Sequence, residues 1–193
     1  MKTQQVWNVG RVPIRVTETF NQEEMQLLEY FATYSNAIIK GSKESETIVG
    51  DPTEVAIIRL LHEKDLTKEI LDIKYPRVYE LPFDSTHKKV TTIHQVENDF
   101  ISITKGVFDR ISVLFTDELL KKATEIHAGF ASQALRVIAI GYKIYTEMPS
   151  DLSEGALEKD LTFLGMVGMI DPPRPKVKRP LLERKKRESN QSR

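Results

Sequence analysis

The sequence predicts an α+β fold in which a mostly antiparallel, twisted sheet is flanked by helices. Two signals for helix starts lie in the first third of the chain, and two β-rich runs joined by a short polar turn follow them. A further helical stretch then precedes two more runs of strand character. Because β-rich runs joined by a short turn pair as antiparallel hairpins, this order favours a sheet that packs against helices.

The composition is that of one globular domain. The chain has 193 residues, of which 40% are hydrophobic and 29% are charged. Cysteine is absent, which excludes disulfides, thiolate catalysis and thiolate zinc ligation and fits a reducing, cytoplasmic setting. No apolar run approaches the roughly 20 residues that a membrane helix requires. Residues 1–10 lack the apolar stretch of a secretory signal.

The first helix is predicted to start at Asn21 and to end near Gly41. Asn21 is followed three positions later by Glu24, which is the spacing of a capping box. A polar loop over 41–47 follows the helix. The apolar residues that recur near helical spacing, and that we expect on its buried side, are Leu27, Leu28, Phe31, Tyr34 and Ile38.

A second helix is predicted to begin after Asp51. Asp51 is a capping acid, Pro52 suits the first helical position, and Glu54 places an acid on the first turn. Its buried stripe comprises Val55, Ile58 and Leu61.

The middle of the chain predicts a β-hairpin. Residues 90–96 and 100–105 are β-rich and are separated by three polar residues over 97–99. In the second run, the two-residue period places Lys105 on the same face as Ile101 and Ile103. A lysine in phase with two isoleucines at a strand end is unusual, and it marks Lys105 for functional consideration.

The second half returns to helix and then to strands. Residues 117–134 show helical periodicity, and 136–145 and 161–170 are expected to form two more strands before a pair of prolines stops any ladder. The apolar residues of the helical stretch are Leu119, Ala123, Ile126, Phe130 and Ala134.

Four short strings carry more specific information: GDPTE at 50–54, PFDSTHKK at 82–89, TKG at 104–106 and DPPRP at 171–175. In this order and at roughly this spacing, they resemble the nucleotide-binding (N) domain of a P-type cation-transporting ATPase, most like the calcium-pump (P2) group. The resemblance covers residues 1–175 and implies the α+β fold of that domain.

The resemblance also implies the domain boundaries. The nucleotide-binding domain spans 1–175, within which 1–10 and 171–175 resemble hinge segments to a phosphorylation domain. Residues 176–193 hold 8 Lys or Arg against 2 Asp or Glu, and we interpret them as a basic tail that is disordered or vector-derived. A nucleic-acid-binding arm is the alternative for this tail, which has no aromatic residue for base stacking.

The function implied by the resemblance is ATP binding in the cytoplasmic part of an integral membrane cation transporter. The domain would hold adenine in a cleft and present the γ-phosphate to an aspartate on a separate domain. Its partners would be ATP, with Mg²⁺ carried by the nucleotide, and the phosphorylation and actuator domains, but neither nucleic acid nor the membrane directly. The family's DKTGT loop, which carries the phosphorylated aspartate, does not occur here, so this chain alone is expected to bind ATP without hydrolysing it. A non-catalytic scaffold or regulatory module that keeps the fold but has lost nucleotide is the alternative.

Two residues are candidates for the adenine end of the site. Phe83 follows Pro82 at the end of a strand-like run, where its ring could face a cleft and stack on a base, although an ordinary core phenylalanine is the alternative. Glu54 could accept a hydrogen bond from the adenine amine, and the helix dipole also favours an acid at that position without any ligand. The resemblance implies the ligand-binding role for both residues.

Four residues are candidates for the phosphate end. Lys105 at a strand end can reach across a pocket, and Gly106 beside it permits close approach of the backbone. Lys105 and Lys88 would supply positive charge to the phosphates. The resemblance implies that both lysines lie in the pocket and that Arg136 reaches the phosphate chain from a neighbouring strand. A surface lysine is the alternative for Lys88, and a surface ion pair is the alternative for Arg136.

The sequence departs from the family pattern at two places. Many relatives have arginine where this chain has His87, and KGAP or KGAxD where it reads KGVFD over 105–109. A histidine is mostly neutral at pH 7, so phosphate binding is expected to be weaker here.

The sequence lacks GxxxxGK[ST], HExxH and GxSxG, which argues against a P-loop, a zinc hydrolase and a serine hydrolase, and no metal ligand is expected.

Phe83→Ala tests the adenine assignment. If the ring faces the cleft, the substitution should weaken nucleotide binding by roughly 1–3 kcal/mol with little change in the free energy of unfolding. Titration with ATP and urea denaturation of the same variant measure the two quantities. A loss of several kcal/mol of stability would place the ring in the core instead.

Overall fold

The computed structural model describes residues 1–40, 47–84, 86–114 and 117–171, and the side chains at 38–40, 47–48, 83–84, 114 and 117 fall outside that description. The strands are β1 (Lys2–Asn8), β2 (Ile14–Arg15), β3 (Ile38–Lys40), β4 (Thr47–Val49), β5 (Arg77–Asp84), β6 (Lys89–Val96), β7 (Asp99–Val107), β8 (Arg136–Tyr145) and β9 (Thr162–Ile170). The helices are α1 (Gln22–Thr33), α2 (Pro52–His62), α3 (Lys68–Lys74), α4 (Phe108–Ile111), α5 (Asp117–Ser132) and α6 (Glu154–Leu157), with a short 3₁₀ turn at Ser112–Leu114.

Seven strands form one antiparallel sheet in the order β2-β1-β9-β8-β7-β6-β5, and β3 and β4 form a separate antiparallel pair. The prediction of a mostly antiparallel sheet with flanking helices is therefore confirmed. The predicted hairpin is β6–β7, whose turn has Glu97 in the left-handed region at φ 54°. β5 ends at Asp84, so the Phe83 backbone does lie at the end of a strand, as the sequence predicted.

The sheet separates two hydrophobic clusters. On one face, side chains of the sheet such as Ile101, Ile103 and Ile140 pack with α1, α2 and α3. On the other face, residues such as Val137 and Ala139 pack with α4 and α5. Since neighbouring residues of a strand point to opposite faces, β8 contributes alternate side chains to the two clusters. We call the first of these faces the α1–α2 face and the second the α5 face.

The first helix ends earlier than the sequence predicted. α1 stops at Thr33, and Ile38 begins β3 instead of continuing the helix to Gly41. Polar groups beyond the helix explain the difference, because the Ala37 N–H donates to the Ser35 hydroxyl and the Asn36 N–H donates to Glu54. Amide hydrogens that a longer helix would use are thus taken by side chains.

α5 also ends before its predicted limit. The helix stops at Ser132, and Ala134 is exposed with φ 56°, so it does not belong to the buried stripe. The Leu135 N–H donates to the Phe130 carbonyl across this residue. This hydrogen bond is typical of a helix C-terminus at which one residue, here Ala134, adopts the left-handed conformation and ends the helix.

The N-terminal segment is part of the sheet. Residues 1–10 contain β1, whose Lys2 lies opposite Ile170 of β9 and whose Asn8 lies opposite Gly165. The start of β1 at Lys2 and the end of β9 at Ile170 therefore lie side by side on adjacent strands. The assignment of 1–10 and 171–175 to hinges stays a prediction, and residues 172–175 and the basic tail lie outside the described residues.

A buried polar cluster lies on the α5 face beneath β6. Glu158 is 5% exposed, forms an ion pair with Lys89 and accepts a hydrogen bond from Thr91 at 2.7 Å. Glu154 pairs with the same Lys89 ammonium at 2.7 Å. Because a buried carboxylate requires a cation or hydrogen-bond donors, this cluster holds the α6 segment against the sheet.

His94 makes the stability of the fold depend on pH. The ring is fully buried, with Nδ1 3.0 Å from the Tyr75 carbonyl and Nε2 2.8 Å from the Thr92 hydroxyl. Burial, with Arg77 and Lys68 adding to it, lowers the pKa of His94 to about 4. The neutral ring fits this site, whereas the unfolded state binds a proton more readily.

Stability should therefore be fully present above pH 6.5 and should fall as the pH drops towards 4, by up to about 1.4 kcal/mol per pH unit from this residue. Urea denaturation between about pH 7 and pH 5 measures this slope, above the range in which most carboxylates titrate. The matched variant His94→Gln should be less stable at pH 7 but should show a shallower slope. Equal slopes in the two proteins would contradict the prediction.

Candidate functional site

A cavity of about 560 Å³ opens on the α1–α2 face at one end of the sheet. β6, β7 and β8 form its floor through Val90, Lys105, Val107, Arg136 and Ile138, and α1 and α2 form its walls. Apolar surface predominates, and the charged side chains approach from separate elements. Pockets with this combination are typical of small-molecule and cofactor sites.

Five of the six residues that the sequence singled out line this one cavity. They are Glu54, Lys88, Lys105, Gly106 and Arg136. The sixth is Phe83, whose side chain lies outside the described residues, so its position against the cavity stays a prediction. The nucleotide-binding roles of all six likewise remain predictions.

Lys105 reaches the cavity from β7. Its phase with Ile101 and Ile103 is as predicted, since both isoleucines are buried on the α1–α2 face. Its ammonium donates to the Phe31 carbonyl at 3.2 Å and lies 4.4 Å from the centroid of the Tyr34 ring. Burial lowers the pKa of Lys105 to about 8, although the carboxylates of nearby acids favour its charged form.

Glu54 reaches the cavity from the first turn of α2. Its Oε2 accepts hydrogen bonds from the Asn36 N–H at 3.0 Å and from the Ser35 hydroxyl at 3.3 Å. No hydrogen bond from the described residues reaches its Oε1. Its place at the start of α2 agrees with the interpretation that the helix dipole favours an acid here, and its role as an acceptor for the adenine amine stays a prediction.

The local sequence explains why α2 begins where it does. The Asp51 side chain accepts the Thr53 N–H at 2.8 Å, and Pro52 occupies the first turn, as predicted. Gly50 has φ 149°, and a Cβ there would lie 2.7 Å from the Cα of Ala37. Glycine is therefore required where this segment passes the segment that follows α1, and this close approach brings Glu54 next to Asn36.

Gly106 lets the turn that carries Lys88 lie directly on β7. A Cβ on Gly106 would lie 2.6 Å from the Lys88 carbonyl oxygen and 2.9 Å from the Cβ of Lys89. The Val107 N–H donates to the same Lys88 carbonyl at 3.3 Å. Lys88 has φ 52°, so the backbone reverses at this residue, and its exposed side chain extends along the cavity.

Arg136 is the first residue of β8 and lies opposite Met169 of β9. Its side chain is exposed at the cavity edge, and it forms no ion pair with a carboxylate of the described residues. Ile138, two residues further along the same strand, lies on the same face. The alternative of a surface ion pair for Arg136 thus has no support among the described contacts.

His87 occupies the turn before Lys88 but does not line the cavity. Its ring lies 3.5 Å from Glu154, on the side of the polar cluster beneath β6. The sequence departure at this position therefore places a histidine next to a carboxylate. In the KGVFD string, Phe108 is buried and stacks on His127 of α5, with ring centroids 4.4 Å apart.

Sequence reasoning missed the residues of α1 that line the cavity. Phe31 and Tyr34 were expected only on the buried side of a helix, but Tyr34 caps α1 and is partly exposed to the cavity. The helical period could not separate a core aromatic from a pocket aromatic, because both lie on the same stripe. The one sequence signal for a charge inside the fold was Lys105, which lies in phase with Ile101 and Ile103 of the same strand. A charge at such a position requires a partner, and Tyr34 is part of that partner.

Within the described part of the chain, no cluster of three or more His, Asp or Glu side chains has the arrangement of a metal site. The cavity instead combines two acids at the start of α2, Asp51 and Glu54, with three cationic side chains, Lys88, Lys105 and Arg136. Such a set can bind a polyanion at one end and a hydrogen-bond donor at the other.

Comparison with known proteins identifies the family. Residues 23–176 match the family described as P-type ATPase, cytoplasmic domain N. The chain belongs to this family. The N domain is thus a cytoplasmic part of a P-type ATPase, as the sequence predicted. A separate observation is that the described residues include no helix with the length and apolar character to cross a membrane.

Several transport ATPases are similar to this N domain. It is 34% identical over 178 residues to Calcium-transporting ATPase 1 of Bacillus cereus, covering 86% of the chain and 19% of that protein. It is 36% identical over 183 residues to Calcium-transporting ATPase lmo0841 of Listeria monocytogenes, covering 88% and 20%. For the Calcium-transporting ATPase of Bacillus subtilis the identity is 33% over 205 residues, covering 94% and 23%. The chain therefore spans about a fifth of the length of these relatives, and the predicted likeness to calcium pumps is confirmed.

Gly106→Ala tests the close approach at the cavity floor. The added methyl must displace the backbone of Lys88 and should destabilise the domain by about 1–3 kcal/mol. Gly129→Ala is the matched control, since Gly129 lies within α5 and nothing lies within 4 Å of a Cβ there. Alanine at an open helix position should be neutral or stabilising by up to about 1 kcal/mol. Urea denaturation compares the two variants, and equal effects would contradict the proposed contact.

Proposed function

We propose that this N domain binds ATP in the cavity between the sheet and helices α1 and α2. The observation that carries the proposal is that two acids and three cations converge on one largely apolar cavity from the start of α2, from the turn before β6, and from β7 and β8. Charges of both signs placed around apolar walls suit a ligand with a flat base at one end and phosphates at the other.

The adenine end is assigned to the part of the cavity beside Glu54. Its Oε1, which receives no hydrogen bond from a described residue, is available to the exocyclic amine of the base. Phe31 and Ile57 supply apolar surface nearby. Phe83 is assigned to stack on the base, on the strength of the family resemblance and of its place at the end of β5.

The phosphate end is assigned to Lys105, Lys88 and Arg136. Lysine is a compact charge that suits phosphate oxygens without strict geometry, and the arginine fork can bind two oxygens at once. The lowered pKa of Lys105 indicates an ammonium in surroundings that favour the neutral amine, so an anionic ligand would relieve an existing electrostatic cost.

The contribution to catalysis is proximity and orientation. The domain would place the γ-phosphate against an aspartate that belongs to a separate phosphorylation domain, with Mg²⁺ carried by the nucleotide. Transport of a cation, with calcium as the candidate ion, is proposed for a whole protein of which this chain is one domain. Because an open cavity leaves part of the ligand in water, we expect the isolated domain to bind ATP weakly.

Lys105→Gln tests the phosphate assignment. Loss of a charge-assisted hydrogen bond to the triphosphate should weaken ATP binding about tenfold or more. Isothermal titration calorimetry measures the change, with Lys122→Gln as the control, because Lys122 lies on the exposed side of α5 and pairs with Glu125 among the described residues. Absence of ATP binding to the wild-type chain would favour the non-catalytic scaffold instead.

The affinity for ATP should also depend on pH. The protonated form of Lys105 binds the phosphates and predominates below its pKa of about 8, so affinity should fall as the pH rises through that value. Titrations between about pH 7.5 and about pH 9.5 measure the decline, and Lys105→Arg should flatten it, because arginine stays charged there. Parallel profiles for the wild type and Lys105→Arg would contradict the assignment.

A further inference from the structure

Lys88 lines the cavity from a backbone conformation that needs support. It has φ 52°, in the left-handed region, which is unfavourable for a residue that carries a Cβ. Its side chain is exposed, so little packing of its own holds the turn before β6. Residues in such conformations persist where the surrounding structure holds them, and they are concentrated at ligand sites. The contacts of the neighbouring residues therefore decide where Lys88 lies.

One of these contacts comes from β7. Gly106 lies directly against the Lys88 carbonyl, since a Cβ on Gly106 would be 2.6 Å from its oxygen. The Val107 N–H donates to the same carbonyl at 3.3 Å, which is longer than is usual for an N–H donor. The backbone contact thus locates Lys88 over β7 but leaves the turn dependent on what holds the next residue, Lys89.

Lys89 is held from the opposite face of the sheet. Val90, the next residue of β6, lines the cavity, so the Lys89 side chain points away from the cavity. Its ammonium pairs with Glu158 and lies 2.7 Å from Glu154 Oε1. Burial alone would lower the pKa of Lys89, but hydrogen bonds to both carboxylates raise it overall. The ammonium therefore stays charged in this position.

Glu158 is the fixed member of this cluster. Its side chain is 5% exposed, whereas that of Glu154 is 42% exposed. Glu158 Oε1 accepts the Thr91 hydroxyl at 2.7 Å, and the Thr91 hydroxyl lies 2.9 Å from that of Thr104 on β7. One oxygen is thus bonded to the sheet and the other to Lys89. Because a buried carboxylate with both oxygens bonded has few alternative positions, it fixes Lys89 relative to β6 and β7.

We propose that Glu158 is a positioning residue of the nucleotide site, which acts through Lys89 to hold the turn at Lys88 in the conformation that presents this cation to the cavity. Glu158 itself does not line the cavity and does not contact the ligand. The inference rests on the proposed function, because it treats Lys88 as a cation that binds ATP. It does not depend on which part of the nucleotide Lys88 contacts.

A double-mutant cycle tests this role. Lys88→Gln should weaken ATP binding about five- to tenfold, because a charge-assisted contact is lost. Glu158→Gln should weaken it about threefold or more, but by no more than Lys88→Gln does, because the whole effect passes through Lys88. In the Lys88→Gln background, Glu158→Gln should leave the remaining affinity unchanged within about twofold. Calorimetric titrations of the full 193-residue chain with ATP measure the four affinities.

Thermal unfolding of the same variants separates positioning from a general loss of stability. Glu158→Gln breaks a buried ion pair and should lower the melting temperature in both backgrounds, although only one background loses affinity. Glu29→Gln is the matched control, since Glu29 is also 5% exposed and pairs with Lys74 and Tyr75, neither of which lines the cavity. This control should lower the melting temperature and leave the affinity for ATP unchanged.

A measurement on the unsubstituted protein covers the case in which Glu158→Gln does not fold. If the turn is held from both faces of the sheet, the backbone amide of Lys88 should be as rigid as those of β6 in the ligand-free chain. ¹⁵N relaxation measures its order parameter, for which we expect about 0.85. A value below about 0.6 would show a turn that is not held, and it would overturn the inference.

The outcomes separate the inference from the proposed function. If the wild-type chain does not bind ATP, both fail. If it binds ATP and Lys105→Gln weakens binding, but Lys88→Gln or Glu158→Gln does not, the inference fails and the function stands. The same holds if Glu158→Gln causes equal losses in the two backgrounds. An equal loss of affinity in Glu29→Gln would show a general structural effect and would also overturn the inference.

Discussion

The contact between the Lys105 ammonium and the end of α1 is the interaction on which the arrangement of the cavity depends. The register of β7 with β6 and β8 fixes the face on which Lys105 lies, and the Phe31 carbonyl and the Tyr34 ring fix where its ammonium ends. A lysine is seldom desolvated without a partner, because burial favours its neutral form. The helix end supplies partial negative charge and an aromatic face instead of a full carboxylate. The ammonium therefore stays available for an anion, where an ion pair would have consumed it.

The cations on the two faces of β6 differ in whether a carboxylate pairs with them. On the α5 face, Lys89 is paired directly with Glu154 and Glu158, and the result is a closed arrangement that holds α6 to the sheet. On the α1–α2 face, the cations of the cavity have no ion pair with a described carboxylate. Lys88 and Lys89 are neighbours in one segment, but Lys88 lines the cavity and Lys89 holds α6 on the opposite face of the sheet. Gly106 makes this possible, since it lets the backbone at Lys88 lie against β7.

Much of the fold could be predicted because its signals are local. The capping acid and proline of α2, the turn between β6 and β7, and the two-residue period that places Lys105 are all read from a few adjacent residues. What could not be predicted depends on distant partners. β1 gains its strand character from pairing with β9 at the other end of the chain, and α1 ends at Thr33 because Ser35 and Asn36 bond to Glu54 of another helix. For the candidate site, the sequence named the charges, and five of the six residues do line one cavity, but Tyr34 was hidden within a helical stripe. The roles of all six in nucleotide binding stay predictions.

Membership of the P-type ATPase N-domain family agrees with the proposal that this cavity binds a polyanion with a flat base. The most direct test is a titration of the ¹⁵N-labelled chain with ATP, followed through the backbone amide signals. If ATP binds in this cavity, the shifts should be concentrated at Glu54, Lys105 and Gly106 and at the end of α1, with the α5 face unchanged. Shifts confined to the α5 face, or none at high nucleotide concentration, would contradict the central claim that this cavity binds ATP.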